Sequence, residues 1–276
     1  MALYVNTNVS SLNAQRNLNS STSSLSTSLQ RLSSGLRVNS AKDDAAGMAI
    51  ASGMTAQVRG ANQAIRNAND GISMMQTAEG VLGQIETNVQ RMRELAVQGA
   101  NGSVNATNLT QVKKELDELG KENARLLKSQ FNGQDLFRSS SFAFQIGAGT
   151  VSSANVISIN IGTLAGSSGM SAAIASNASF SSAAAARTLM GSLDSALESI
   201  ATKRAEMGAG QNRFEAVVSS LQTYVENMSA SKGRIVDADF AAETANLTRN
   251  QIIQQAGTAM LAQANQLPQA ALTLLR

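Results

Sequence analysis

The sequence predicts a mainly α fold: an elongated antiparallel helical bundle or coiled coil carrying a small β-hairpin region, with the terminal helices pairing into a separate coiled-coil domain. Three observations predict it. Apolar residues recur with a 3-4 spacing through two long segments, the period of one helical face. The period falls to two only between Phe142 and Ile161. Both chain ends and the middle are charge-poor: Arg16, Arg31 and Arg37 are the sole charged side chains up to residue 37, and none occurs in 139–186 or 250–275.

The first helix is marked by Ala14, Leu18, Leu25, Leu29, Leu32 and Leu36. The second, from about Asp44 to Gln98, carries Ile50, Met54, Val58, Ala61, Ile65, Ala68, Ile72, Met75, Leu82, Ile85, Val89, Met92 and Ala96. At 1.5 Å per residue it would be roughly 80 Å long. Gly99 to Thr107 is turn chemistry that reverses the chain. Asn108 is then a candidate N-cap with Gln111 as capping-box partner, ahead of Leu109, Val112, Leu116, Leu119 and Leu126.

Phe142, Phe144 and Ile146 alternate with Ala143 and Gln145, and Ile157, Ile159 and Ile161 alternate with Ser158 and Asn160, which predicts a hairpin joined through 147–155. The Gly/Ser/Ala-rich run 162–180 is expected to be a surface connection. A long stripe follows from Leu189 to Met228, extends to about Ala230 and is broken at Gly233. Asp237 or Asp239 can cap a last helix ending at Leu267, just before the sole proline, Pro268. Three domains follow: terminal helices (1–42 with 236–276), a helical rod (43–138 with 187–235), and a hairpin with a short surface segment (139–186).

Composition excludes most chemistry. With no His and no Cys there is no imidazole base, no thiolate and no zinc or haem site built from them. No catalytic residue, cofactor or metal is expected, and the absence of Cys leaves the redox compartment open. A net charge of +3 is too small to imply a nucleic-acid surface. No apolar run approaches the ~20 residues of a membrane span. Residues 1–10 lack a basic and an apolar region, so no Sec-type signal is expected and export would need another route. Asp43-Asp44 precede a helix start and read as cap and dipole partners rather than as a metal or acid–base pair. Lys113 with Asp117 and Lys114 with Glu118 read as solvated i,i+4 pairs, and the methionines at 54, 75, 92, 207 and 228 as core filler.

The chain ends carry the functional signal. A solvated helix bears charge on its outer face, whereas these carry Asn, Gln, Ser, Thr and Ala. Ordering a residue costs ~1–2 kcal/mol and burying a Leu or Ile returns ~1.5–3 kcal/mol, so an isolated pair of such helices gains nothing by folding. They are expected to order when copies stack head to tail into an open helical filament, instead of being floppy tails. Leu18, Leu25, Leu29, Leu32, Leu36, Ile253, Met260, Leu261 and Leu267 are the candidate assembly residues.

The run from Arg31 to Ile50 (RLSSGLRVNSAKDDAAGMAI) resembles the N-terminal signature of bacterial flagellin. So do 67–73 (NANDGIS), 76–80 (QTAEG) and 90–98 (QRMRELAVQ); at the other end 210–215 (GQNRFE), 237–243 (DADFAAE), 255–265 (QAGTAMLAQAN), Pro268 and 274–276 (LLR) resemble its C-terminal half. The resemblance implies a filament subunit exported unfolded through the flagellar type III apparatus, with terminal helices lining the lumen and little or no outer domain. Its implied partners are further copies of itself, filament cap and hook-filament junction proteins, an export chaperone and host receptors, with no nucleic acid and no membrane insertion. It also implies that Gln90, Arg91, Leu95 and Glu115 match the ridge read by Toll-like receptors of animals. Gln30, Arg31, Leu32, Ser33, Gly35, Asn39, Lys42, Asp43, Asp44, Gly47 and Ile50 match the segment sensed by plant receptors. The hydroxyl-dense run 139–182 makes Ser140, Ser153 and Ser168 candidates for O-glycosylation. Rival readings are a hook-filament junction protein and a soluble coiled-coil signalling protein; charge-poor ends speak against the latter.

Overall fold

The computed structural model describes residues 7–162, 164–166, 169–175, 180 and 182–273. Among these the elements are α1 (Val9–Ser34), α2 (Ala45–Gly99), α3 (Ala106–Leu126), β1 (Gln130–Phe131), β2 (Gln134–Asp135), β3 (Phe142–Gln145), α4 (Ser152–Asn155), β4 (Val156–Ile159), α5 (Met170–Ala173), α6 (Ala183–Val236) and α7 (Phe240–Thr273). The helical fold with one small hairpin region agrees with the periodicities. The chain divides into two compact units, 1–58 with 226–276 and 59–225, so the division falls inside α2 and α6.

Residues 59–225 hold one continuous apolar core. In it α2 and α6 run antiparallel: Gly71 meets Phe214, Met75 meets Gly210, Glu86 pairs with Arg204, and Arg93 with Asp194. A Cβ at Gly71 would lie 2.9 Å from the Phe214 ring, so the missing side chain there lets the aromatic lie against the helix. Phe214 in turn meets Phe144 edge-on at 5.6 Å. Met75, Leu82, Ile85, Met92, Leu116, Leu193 and Ile200 are fully covered by this packing, and Met207 nearly so. Burial of this kind is worth ~1.5–3 kcal/mol per side chain.

The hairpin lies where the alternation places it. Phe142 faces Ile159 and Phe144 faces Ile157, two aromatic-to-β-branched pairs on one face. The small β1–β2 pair precedes it and had no counterpart in the sequence reading. Its turn is Asn132-Gly133, both at positive φ (49° and 75°), the conformation that favours Asn-Gly in two-residue hairpins.

Four expectations are corrected. The 162–180 run is not a surface connection: Leu164, Met170, Ala173 and Phe180 are buried in the core, because its few large residues are spaced to reach inward between glycines. Gly120 permits this, since a Cβ there would lie 2.6 Å from the Ala175 carbonyl. The α3 cap is Asn105, whose side chain accepts from the Asn108 N–H at 2.8 Å; Asn108 lies inside the helix. Gly233 does not end α6, which continues to Val236. Nor does α7 stop before Pro268, for a reason that lies in its partner helix.

A chain of amides also crosses the core. The Gln84 side chain donates to Asn88 (3.1 Å), Asn88 donates to Asn123 (2.9 Å), and Asn123 donates to the Ala173 carbonyl (3.0 Å). Every step has a partner, which is what allows Asn123 to be fully buried.

Candidate assembly interface

Within the unit formed by the two chain ends, α1 and α7 pack antiparallel. Asn8 meets Ala264, Leu18 meets Gly257, Arg31 meets Glu243, and Leu36 bridges to Asp237. The shielded positions of α7 include Glu243, Leu247, Asn250, Gln254, Gly257, Leu261 and Ala264, stepping by four and three as in a coiled coil, with Asn246 shielded beside them. Those of α1 include Ser11, Ala14, Leu18, Ser21, Leu25, Ser28 and Leu32. More than half of the seam is Ser, Ala, Gly or amide, so the helices approach closely yet bury little oil. Of their described side chains, only Ser28, Glu243 and Ala264 are buried.

The opposite faces are mostly Asn, Gln, Ser, Thr and Ala, set with a few large apolar side chains that nothing in the chain covers. Ile252 is 61% exposed and Met260 64%, and Val9, Leu12, Leu29, Phe240 and Ile253 are exposed with them. The sequence-predicted assembly residues therefore split. Leu18, Leu25, Leu32, Leu36 and Leu261 are half-buried along the intrachain unit, while Leu29, Ile253 and Met260 face outward. The Leu267 side chain and residues 274–276 lie outside what the structure describes. Val9, Leu12, Phe240 and Ile252 escaped the sequence reading because they sit off the 3-4 stripe.

One ion pair orients the helices. Arg31 Nη1 lies 3.9 Å from Glu243 Oε2, joining the last turn of α1 to the first turn of α7, so each charge also complements its own helix dipole. Beyond α1 the chain turns at Gly35 (φ 71°), whose N–H closes onto the Arg31 carbonyl at 2.8 Å. The Arg37 N–H then donates to the Val236 carbonyl (2.6 Å), the Ala238 N–H donates to the Gly35 carbonyl (2.9 Å), and Val38 is buried.

The plant-sensed segment of the resemblance runs through this connection. Gln30, Ser33, Asn39, Lys42, Asp43 and Ile50 are exposed, Arg31, Leu32, Gly35 and Asp44 are half-buried, and Gly47 is buried. Asp43 and Asp44 hold backbone, as cap chemistry requires. Asp44 Oδ1 accepts from the Gly47 N–H at 2.8 Å at the start of α2. Asp43 Oδ2 accepts from the Ser40 N–H (2.9 Å), the Ser40 hydroxyl (3.0 Å) and the Asn39 N–H (3.1 Å). Those bonds, the Ser40 N–H foremost, hold its carboxyl below the ordinary range.

On the 59–225 unit, Gln90, Arg91 and Glu115 form an exposed ridge across α2 and α3. The Arg91 guanidinium donates to Glu94 (3.0 Å) and to Glu115 (2.9 Å), and these bonds raise its pKa. Leu95 is not on the ridge; at 2% exposure it belongs to the core, which corrects the apolar contact expected of it. A groove of about 580 Å³ beside it is lined by Gln90, Arg93, Glu94, Val97, Asp194 and Leu197. Lys113 pairs with Asp117 at 3.6 Å, whereas Glu118 takes Lys121 in place of Lys114. Ser140 and Ser153 are exposed, and Ser168 lies outside the described residues. Among the described residues no helix is long and apolar enough to cross a membrane.

Known proteins place this arrangement. A family model for the bacterial flagellin N-terminal helical region matches residues 5–141, and one for the bacterial flagellin C-terminal helical region matches residues 190–275. The chain is 41% identical to a flagellin of Xenorhabdus nematophila, with all of both chains aligned. It is 39% identical to the flagellar filament 33 kDa core protein of Treponema phagedenis, over 99% of this chain and 100% of that one. A solved structure from Vibrio parahaemolyticus, assigned as a flagellar hook-associated protein, superposes with a TM-score of 0.59 over 71% of this chain and 100% of that one; at 13% identity it shares the fold alone.

Proposed function

This chain belongs to the bacterial flagellin family and is a structural subunit of the flagellar filament, not an enzyme; we propose that α1 and α7 are the part of it that polymerises. The observation that carries this reading is that Val9, Leu12, Leu29, Ile252, Ile253 and Met260 stand exposed on helices whose own seam leaves its leucines only half-buried. A second copy of the chain covers those side chains, and the pair gains order as it does so. In this reading residues 1–42 with 236–276 form the filament core and line the lumen, 43–138 with 187–235 form the rod, and the hairpin within 139–186 stands in place of outer domains.

The chain travels unfolded through the flagellar type III apparatus, escorted by a chaperone, and is placed beneath a filament cap on hook-filament junction proteins. Toll-like receptors read the ridge of Gln90, Arg91 and Glu115, with Leu95 supporting it from beneath, and plant receptors read 30–51 once it is released from its backbone pairing with Val236. Ser140 and Ser153 are open to O-linked sugars.

Seeded elongation tests the central reading. Purified chain added to filament fragments is expected to extend them under the electron microscope, and residues 7–40 and 240–266 to pass from protease-sensitive in the free chain to protected in the filament. Equal cleavage in both states, or no growth on any seed, would remove it.

A further inference from the structure

The only proline of the chain lies inside α7, where its nitrogen has no hydrogen to give. In an α-helix that hydrogen would bond to the carbonyl four residues earlier, which here is Ala264. The Asn8 side chain fills the gap: its Nδ2 donates to the Ala264 carbonyl at 2.8 Å, across 256 residues of sequence. The same amide works in the other direction on its own helix, where Oδ1 accepts from the Ser11 N–H at 3.1 Å as the N-cap of α1. One partner is a carbonyl and the other an N–H, so the amide fits in a single orientation. Beside it the Ser11 hydroxyl donates to Asn265 Oδ1 at 2.8 Å.

We infer that Asn8 and Pro268 form a register key, in which the proline opens one carbonyl on α7 and the asparagine reads it, fixing where along α7 the first helix docks. The seam needs such a device. More than half of the seam positions named above are small or amide and its leucines are only half-buried, so little apolar contact resists sliding α1 by one step along α7. A lone polar residue that is satisfied in one alignment only is the known way to select a register in such a pair. Arg31 with Glu243, spaced 3.9 Å apart at the other end, is too loose to do this alone. Asn8 is thus a positioning residue for α1–α7 pairing, and the inference stands apart from what that pair assembles into.

The chain has no cysteine, so engineered pairs report register without background. A Cβ on Gly257 would lie 4.0 Å from that of Leu18, within the span of about 3.5–4.5 Å that a disulfide bridges. Leu18→Cys with Gly257→Cys reports the native alignment; Leu18→Cys with Gln254→Cys or with Leu261→Cys reports a slip of one step. Each pair is placed in the full chain, grown on filament seeds, oxidised, and read as the fast-migrating intrachain band on a non-reducing gel.

Asn8→Ser keeps the N-cap acceptor and loses the reach to Ala264. It is expected to raise slipped over native cross-links by about five- to tenfold, the factor of one lost hydrogen bond to a stranded carbonyl. Pro268→Ala restores the helical N–H, so in that background Asn8→Ser is expected to change the ratio less than twofold. An unchanged ratio in the single variant, or an equal change in both backgrounds, overturns the inference. If Asn8→Ser does not elongate seeds, regain of elongation by the Asn8→Ser/Pro268→Ala double variant supports the key, and failure of both refutes it. Failure of the unsubstituted chain to elongate would refute the polymer reading; the same cross-link ratios are then read in the free chain, where no excess of native over slipped bands overturns the key and its loss in Asn8→Ser supports it.

Discussion

Residues 59–225 contain Phe214, Met75, Leu82, Ile85, Met92, Leu116 and Leu193, all without solvent contact, while the unit of the two chain ends contains eight of the eleven exposed large hydrophobics among the described residues. Both units are built from long helices of similar composition, so propensity is not what separates them. The difference lies in where apolar side chains point. In the first unit α3, α5 and the hairpin close over α2 and α6 and complete the core inside one chain. In the second, two helices meet along a seam in which small and amide residues alternate with leucines that stay half-buried, while other large side chains, Ile252 and Met260 among them, face away from it. A single chain finishes the first core; under the assembly proposed above, further copies would finish the second.

The largest expected effect tests that division directly. Replacing Ile252 and Ile253 together by Asp removes about 3–6 kcal/mol of apolar burial between copies and adds charge to the same surface. Seeded elongation should weaken beyond about 100-fold, while the calorimetric melting of the 59–225 unit stays unchanged. Filaments that grow normally from this variant would show these exposed side chains to be uninvolved.

Phe214→Ala is the reciprocal experiment. It empties the site over Gly71 and beside Phe144, at a cost of about 3–5 kcal/mol, and should lower the melting temperature of the unit. Asn123→Ala comes next, at about 1–3 kcal/mol, because it strands both the Asn88 amide and the Ala173 carbonyl; a loss below about 0.5 kcal/mol would mean that water replaces the relay.

Acid should loosen the connection after α1. The Asp43 carboxyl is held below its ordinary pKa by Ser40 and Asn39, so it stabilises the connection above that ordinary value, and the contribution is lost as pH falls through the lowered one. The protection of the Asn39 and Ser40 amides against hydrogen exchange, relative to their intrinsic rates, should fall in that acid window in the parent chain and be low at all pH values in Asp43→Asn. Smallest of all, Arg91→Ala should change stability by less than about 1 kcal/mol, since its two ion pairs are exposed. A larger loss by calorimetry would make the ridge a structural element rather than a display surface.

Much of this was legible from spacing. The periods of 3.6 and 2 located the helices and the hairpin, and the scarcity of charge located the chain ends. What spacing could not convey was partner geometry. Met170 and Phe180 sit in a Gly/Ser-rich run whose composition reads as surface, yet Gly120 leaves room for that run to dock. Leu95 lies in a motif read for its exposed neighbours, but helical phase turns it inward. Pro268 read as a terminator because the residue that compensates it, Asn8, stands at the other end of the chain. The Asn132-Gly133 turn was readable by rule and was hidden by the brevity of its two strands.

The connection between β3 and β4 also sets how this molecule can grow. Its strand ends are pinned by the Ile146 N–H on the Asn155 carbonyl at 2.7 Å, and its turn by the Gln145 amide on the carbonyls of Gly147 and Gly149. A foreign sequence spliced after Thr150 would leave from a fixed doorway, and each doubling of its length adds only about 0.6 kcal/mol of closure entropy. Cargo of very different sizes can therefore be grafted there without the helices having to be redesigned.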